Sequence, residues 1–256
     1  LSLDPRWMED KETNYWKLNV SQTLINRAYC IEKAPKEFGY SDNNWGLTAG
    51  DNFNFYGAHA PSVEDNSTIN PTAAMSSFAY TPAYAMDALM YFYRIQGNRL
   101  FGEYGFYDGY SQLKNWYSNQ YLAIDQGPIV IMIENYRSGL LWNLGSQIAE
   151  IQAALPKMGI RKPDYPTGFY MYIPEANSGE TELIRHPDEG KYVLDFFVKG
   201  TEPANVELVN EAGMAIKMPE TYGPGAQRLL FDAQQGNYTA KLRQGALVAE
   251  AKLKLR

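Results

Sequence analysis

The stretch that decides the fold is Ile124-Asp125-Gln126-Gly127-Pro128-Ile129-Val130-Ile131-Met132-Ile133-Glu134-Asn135-Tyr136-Arg137. Gly127-Pro128 predicts the opening of a helix, because proline suits a first helical position, where an N–H would lack a partner anyway. The five residues from Ile129 to Ile133 are apolar on every side of that helix. Such a helix belongs inside, as the inner ring of a two-layered helical barrel would be. Polar groups bracket the run. Asp125 stands just before the helix, where free N–H groups and the helix dipole favour an ionised carboxylate. Glu134, Asn135, Tyr136 and Arg137 close the other end. Capping would explain Asp125, and an ion pair three residues apart would explain Glu134 with Arg137. So many polar side chains on one inner helix point instead to the lining of a site.

Outward from this helix, residues from about 8 to 160 read as helices joined by long loops. In Glu12 to Cys30, Tyr15, Leu18, Ile25, Ala28 and Tyr29 share one face at helical spacing. Thr81-Pro82 supplies an N-cap and a first-turn proline for a helix through Tyr84, Ala88, Tyr91, Phe92 and Ile95, which Gly97 ends. A further helix is expected over Gly145 to Leu155. The stretches Ser41 to Pro71 and Phe101 to Gln126 are polar and aromatic, and loops of that length in a compact domain tend to carry function.

After Lys162-Pro163-Asp164-Tyr165-Pro166 the period changes to two. From Leu247 to Leu255 the odd positions are apolar, while Glu250, Lys252 and Lys254 alternate with them. Gly236-Asn237 and Gln244-Gly245 predict turns, and Tyr192 to Val198 and Val206 to Val209 predict strands. Six or seven short strands suggest a β-sandwich of immunoglobulin-like type. The expected class is therefore mainly α. Residues 1–162 are expected to form a helical unit, and residues 163–256 a small β-sandwich.

The bulk properties exclude several functions. The 256 residues carry a net charge of −6 with no basic run among the aromatics, which argues against nucleic acid as a partner. No apolar run is long enough to span a membrane. The single cysteine, Cys30, reads as a buried inert thiol, and with only two histidines, His59 and His186, no metal site and no cofactor is expected. His59 reads as a loop residue and His186 as a surface residue. The chain opens at Leu1-Ser2-Leu3, which reads as a processed or cut start. Aromatics reach 14%, including 20 tyrosines. They fit either large cores or a cleft in which aromatic faces stack on sugar rings.

Four clusters carry the candidate chemistry: Trp45-Gly46-Leu47-Thr48-Ala49-Gly50-Asp51, Asn70-Pro71-Thr72-Ala73-Ala74, Tyr104-Gly105-Phe106-Tyr107-Asp108, and the deciding stretch continued to Ser138-Gly139. On these residues the sequence resembles the glucoamylase-like (glycoamylase) domain of bacterial proteins, similar to glycoside hydrolase family 144, over about residues 8 to 160. The resemblance implies the C-terminal part of an (α/α)6 barrel with its site at one end of the inner helices. It also implies upstream helices that this segment needs in order to be complete. It implies a metal-free glycoside hydrolase acting on β-glucan, of β-1,2 linkage, in which one carboxyl group protonates the leaving oxygen and another activates water. A periplasmic or secreted location is expected on the same ground. The candidate catalytic residues are Asp51, Asp125 and Glu134. The candidate sugar contacts are Trp45, Tyr107, Asp108, Gln126, Asn135, Tyr136 and Arg137. A saccharide-binding barrel without turnover, or a divergent one, is the alternative; a transglycosylase on the same scaffold is a third reading.

Overall fold

The computed structural model describes residues 1–169 and 179–256. It divides into two compact units, one of residues 1–5 and 10–160, the other of residues 6–9 and 161–256.

The first unit holds seven helices: α1 (Tyr15–Glu32), α2 (Pro71–Met75), α3 (Pro82–Arg94), α4 (Gly97–Leu100), α5 (Ala123–Arg137), α6 (Leu140–Ser146) and α7 (Ala149–Ala154). Asn14 caps α1, its side chain accepting from the Lys17 N–H at 3.0 Å. The buried stripe of α1 is Trp16, Val20, Thr23 and Cys30. Leu18 and Ile25, expected on the inner face, are exposed instead. Trp16 sets the rotation, packing on Trp142 and Tyr80, and Thr23 turns inward because its hydroxyl can donate to the Asn19 carbonyl.

Pro82 opens α3 as expected, with Thr81 before it, although the Thr81 hydroxyl makes no capping bond. Helix α5 begins at Ala123 rather than at Gly127-Pro128. The Leu122 carbonyl starts it, accepting from the Asp125 and Gln126 N–H groups, and Pro128 is carried within the helix. Asp125 therefore lies in the first turn. The all-round burial expected of this helix is not found in this unit. Ile129 and Met132 are buried, but Ile124 is 71% exposed and Val130 68%. The helix expected over Gly145 to Leu155 is two, because α6 ends at Ser146 and Ile148 is extended before α7.

The long loops are built of paired two-residue strands. These are β1 (Gly50–Asp51) with β2 (Tyr56–Gly57), β3 (Phe101–Gly102) with β4 (Gly105–Phe106), and β5 (Tyr110–Ser111) with β6 (Trp116–Tyr117). Ile69 and Tyr110 exchange both backbone hydrogen bonds at 2.9 Å and tie the loops to each other. Beneath them lies a core of Trp45, Ile69, Met75, Phe92, Leu100 and Tyr110.

The second unit holds β7 (Glu180–Leu183), β8 (Tyr192–Val198), β9 (Ala204–Asn210), β10 (Ala215–Tyr222), β11 (Gly225–Phe231), β12 (Gly236–Gln244) and β13 (Leu247–Leu255). Five form a mixed sheet in the order β10-β9-β12-β13-β7, with β13 and β7 parallel, while β8 and β11 pair separately. Alternate residues Tyr192, Leu194, Phe196 and Val198 of β8 meet Ala204, Val206 and Leu208 of β9 in one core. Gly245 makes a turn at positive φ between β12 and β13. Gly236-Asn237, expected as a turn, instead opens β12. His186 is buried rather than on the surface, its N–H donating to the Lys191 carbonyl at 2.8 Å. No helix among the described residues is long and apolar enough to cross a membrane.

Candidate active site

Three carboxyl groups converge where the loops meet the N-terminal end of α5. Asp51 comes from β1, Asp108 from the loop before β5, and Asp125 from the first turn of α5. The Asp51 N–H donates to Asp108 Oδ2 at 2.5 Å, and Ser118 Oγ donates to Asp51 Oδ2 at 2.7 Å. Such close approach requires glycine nearby. A Cβ on Gly109 would lie 2.5 Å from the Asp51 carbonyl oxygen, and one on Gly50 would lie 2.1 Å from Asn70 Nδ2. Thr72 Oγ1 donates to the Asp125 carbonyl at 2.7 Å and pins the start of the helix.

The Asp108 and Asp125 carboxyl groups lie close enough to act on each other, the pairing raising Asp108 and lowering Asp125. Asp108 Oδ1 and Asp125 Oδ2 are both buried, and no other donor is offered to either. Two carboxylates repel, so the pair is satisfied only when it holds one proton. Asp108 Oδ2 already accepts from a backbone N–H and from the Asn70 amide at 3.4 Å, which leaves Oδ1 for the proton. Asp125 has the N-terminal end of a helix to stabilise its charge. Burial raises Asp108 to about 7, with the Asp125 bond and charge adding to the rise. Burial also raises Asp125, and the bond from Asp108 opposes that rise. The environments thus separate the roles: Asp108 is the neutral acid, Asp125 the carboxylate.

A buried chain supports the pair from behind. Asn52 Nδ2 lies 3.2 Å from His59 Nε2, His59 Nδ1 lies 3.1 Å from Asn70 Oδ1, and Asn70 Nδ2 donates to the Asp108 carbonyl at 3.0 Å. Tyr56 on β2 stands at the open side. Partial burial and the charge of Asp125 raise its phenol. Phe55 and Tyr104 are exposed as well, at 68% and 70%. Tyr107 and Tyr121 pack with ring centroids 4.8 Å apart.

Of the residues expected at a site, Asp51, Asp108 and Asp125 are brought together. Gln126 is beside them but spends its amide on the Phe106 carbonyl at 2.7 Å. Tyr107 bonds Tyr121 through its hydroxyl. The remaining candidates lie elsewhere. Trp45, expected as a sugar platform, is 1% exposed and fills the core. Glu134 is nine residues along α5 from Asp125, about 13 Å down the axis, and is bonded to Arg137 at 2.8 Å and to Ser138 Oγ at 2.6 Å. Asn135 is buried between the Leu1 carbonyl and the Trp142 N–H. Tyr136 packs on Phe78. His59, Asn70, Tyr56 and Ser118 were not among the expected site residues. Only Asn70 carried a signal, its place in the Asn70-Pro71-Thr72 cluster.

The Glycoamylase family profile, described as "Putative glucoamylase", matches residues 1–149. The chain belongs to the glycoamylase family. Among family relatives, an exo β-1,2-glucooligosaccharide sophorohydrolase (non-reducing end) from Parabacteroides distasonis is 43% identical over 159 residues, covering 62% of this chain and 22% of the relative. The endo-β-1,2-glucanase of Chitinophaga pinensis, solved in complex with sophorotriose and glucose, is 49% identical with a TM-score of 0.60, covering 62% of this chain and 38% of that one. A β-1,2-glucanase structure from Parabacteroides distasonis gives 43% identity and a TM-score of 0.60, covering 62% and 23%. The chain thus spans well under half the length of these glycoamylase relatives.

Proposed function

We propose that this chain is part of a glycoside hydrolase acting on β-1,2-glucan or its oligosaccharides. In this reading the first unit contributes later helices of an (α/α)6 barrel, and the β unit is an immunoglobulin-like accessory domain. The observation that carries the reading is the carboxyl cluster at the start of α5, in a chain whose named relatives act on β-1,2-linked glucose. Asp125 is the group of choice for drawing a proton from water, since the helix end and the Asp108 proton keep it ionised. Asp108 cannot be its acid counterpart. Acid and base flank a glycosidic bond with their carboxyl groups about 5 to 9.5 Å apart, whereas these two touch. The leaving-group acid therefore comes from outside the Asp108–Asp125 pair. Phe55, Tyr56 and Tyr104 offer exposed aromatic faces for sugar rings.

Product analysis of the full-length protein on β-1,2-glucan, with β-1,3-glucan and starch as controls, tests the proposal. Short oligosaccharides are expected from β-1,2-glucan alone, and Asp125→Asn should lower the rate by about 100-fold or more. Saccharide binding by calorimetry without release from any glucan would overturn hydrolysis in favour of a binding module. Products longer than the substrate would identify a transglycosylase.

A further inference from the structure

His59 is 3% exposed, sits in the loop between β2 and α2, and has no place in the chemistry above. Its two neighbours nevertheless fix its proton. Asn52 Oδ1 accepts from the Asn54 and Phe55 N–H groups at 2.8 and 3.3 Å, so Asn52 must turn its NH2 toward His59 Nε2. Nε2 is then an acceptor without hydrogen. At the far end Asn70 Nδ2 faces the Asp51 and Asp108 carbonyls at 3.4 and 3.0 Å, so Asn70 turns its oxygen toward His59 Nδ1, which must donate. The two ends, each anchored on backbone groups, independently demand the same neutral imidazole with its hydrogen on Nδ1. Protonation would place an N–H against the Asn52 NH2. Burial lowers the His59 pKa accordingly, opposed by the Asn70 bond and by the charges of Asp65 and Glu64.

We propose that His59 is a positioning residue for the carboxyl pair: a permanently neutral imidazole that holds the Asn70 amide so that Asn70 seats Asp108 against Asp125. Without the Nδ1 donor, Asn70 Oδ1 is left buried with no partner, and the amide, held then only through its Nδ2, tilts away from its present orientation. Asp108 Oδ2 then loses one of its two donors, and the Asp51 and Asp108 strands lose their common bridge. The groups that titrate around this chain are Asp51, Asp108, Asp125 and Tyr56 on the site side, with Glu64 and Asp65 on the histidine side. The inference rests on the functional reading above for its kinetic consequence only.

The test uses NMR as well as turnover. In the wild-type protein, nitrogen shifts of the His59 ring should report hydrogen on Nδ1 at neutral pH and no protonation through the ordinary histidine range. Carboxyl carbon shifts of Asp108 and Asp125 are followed over the same titration. His59→Asn keeps a donor near the Nδ1 position and should leave both carboxyl midpoints where they are. His59→Leu keeps bulk without a donor and should displace the Asp108 midpoint by about one unit, the size of a typical site-to-site spread. On β-1,2-glucooligosaccharides His59→Leu should lower kcat by about 100-fold at little change in KM, as expected when a reacting group is misplaced, with His59→Asn restoring most of it. A wild-type ring protonated near neutral pH, or carrying its hydrogen on Nε2, overturns the proposal whether or not any variant folds. So does a folded His59→Leu protein with unmoved carboxyl midpoints. Absence of turnover in the wild type would count against the hydrolase reading and leave the carboxyl titrations to decide this one.

Discussion

Asp108 and Asp125 show how two copies of one side chain acquire different duties. The difference lies in what surrounds the second oxygen of each. Asp108 has a backbone N–H and an amide on Oδ2 and only Asp125 beyond Oδ1, so it keeps a proton. Its folded pKa, about 7, stands above the 3.8 of a freely solvated aspartate. A raised carboxyl favours folding while protonated. Its contribution is therefore complete below the unfolded value and is lost as pH climbs through the folded one. The thermal stability of the wild type should accordingly fall from about pH 4 to pH 7, and Asp108→Asn should flatten that slope. An unchanged slope would show that the proton is not held on this pair. His59 was not readable in this way beforehand. Its partners lie seven and eleven residues off in an irregular loop, and no periodicity marks a side chain whose value depends on the orientation of two amides.

At the level of elements, α5 is a helix with two unlike ends. Its first turn carries Asp125 and is fastened to neighbouring segments through Thr72 and Gln126. Its last turn is a local affair of Glu134, Arg137 and Ser138. The sequence pattern located the helix and its polar ends, but could not say which end was chemical, because both displayed a carboxylate with amide and tyrosine neighbours. It also placed the start four residues late, since Gly127-Pro128 mimics a helix opening while the Leu122 carbonyl performs it. Glu134→Gln should therefore leave turnover within about threefold and stability within about 1 kcal/mol, the worth of an exposed pair. A loss as large as that of Asp125→Asn would return Glu134 to the chemistry. Asn135→Ala should instead destabilise the fold by about 1–3 kcal/mol, measured by denaturant titration, because the Trp142 N–H and Leu1 carbonyl lose their partner together.

At the level of the whole molecule, the division between a helical and an alternating region was legible because the two periods differ so plainly on either side of Pro163. The strands Tyr192–Val198 and Ala204–Asn210 were nearly read off directly, since every second residue enters one core. Burial on the helices was less legible, because an apolar pattern says which residues can be covered and not what covers them. Leu18, Ile25, Tyr93, Ile95, Ile124 and Val130 all remain open in the 256-residue chain. This chain by itself should therefore self-associate and bind an apolar dye at micromolar concentration. Sedimentation of Ile124→Lys/Val130→Lys should shift the distribution toward monomer. A wild-type chain that sediments as a monodisperse monomer would contradict the expectation.

The close backbone approach at Gly50 and Gly109 has a use beyond this chain. Carboxylates can be aligned between distant sequences on chemistry alone, and such alignments are easily mistaken. A steric gate is harder to counterfeit: any side chain at position 109 collides with the Asp51 carbonyl, and any at position 50 collides with Asn70. In a mutational library these two positions should read as intolerant even to alanine, while the aromatic rim varies freely. A sequence that lacks both glycines has not merely altered the cluster; it has built its floor some other way.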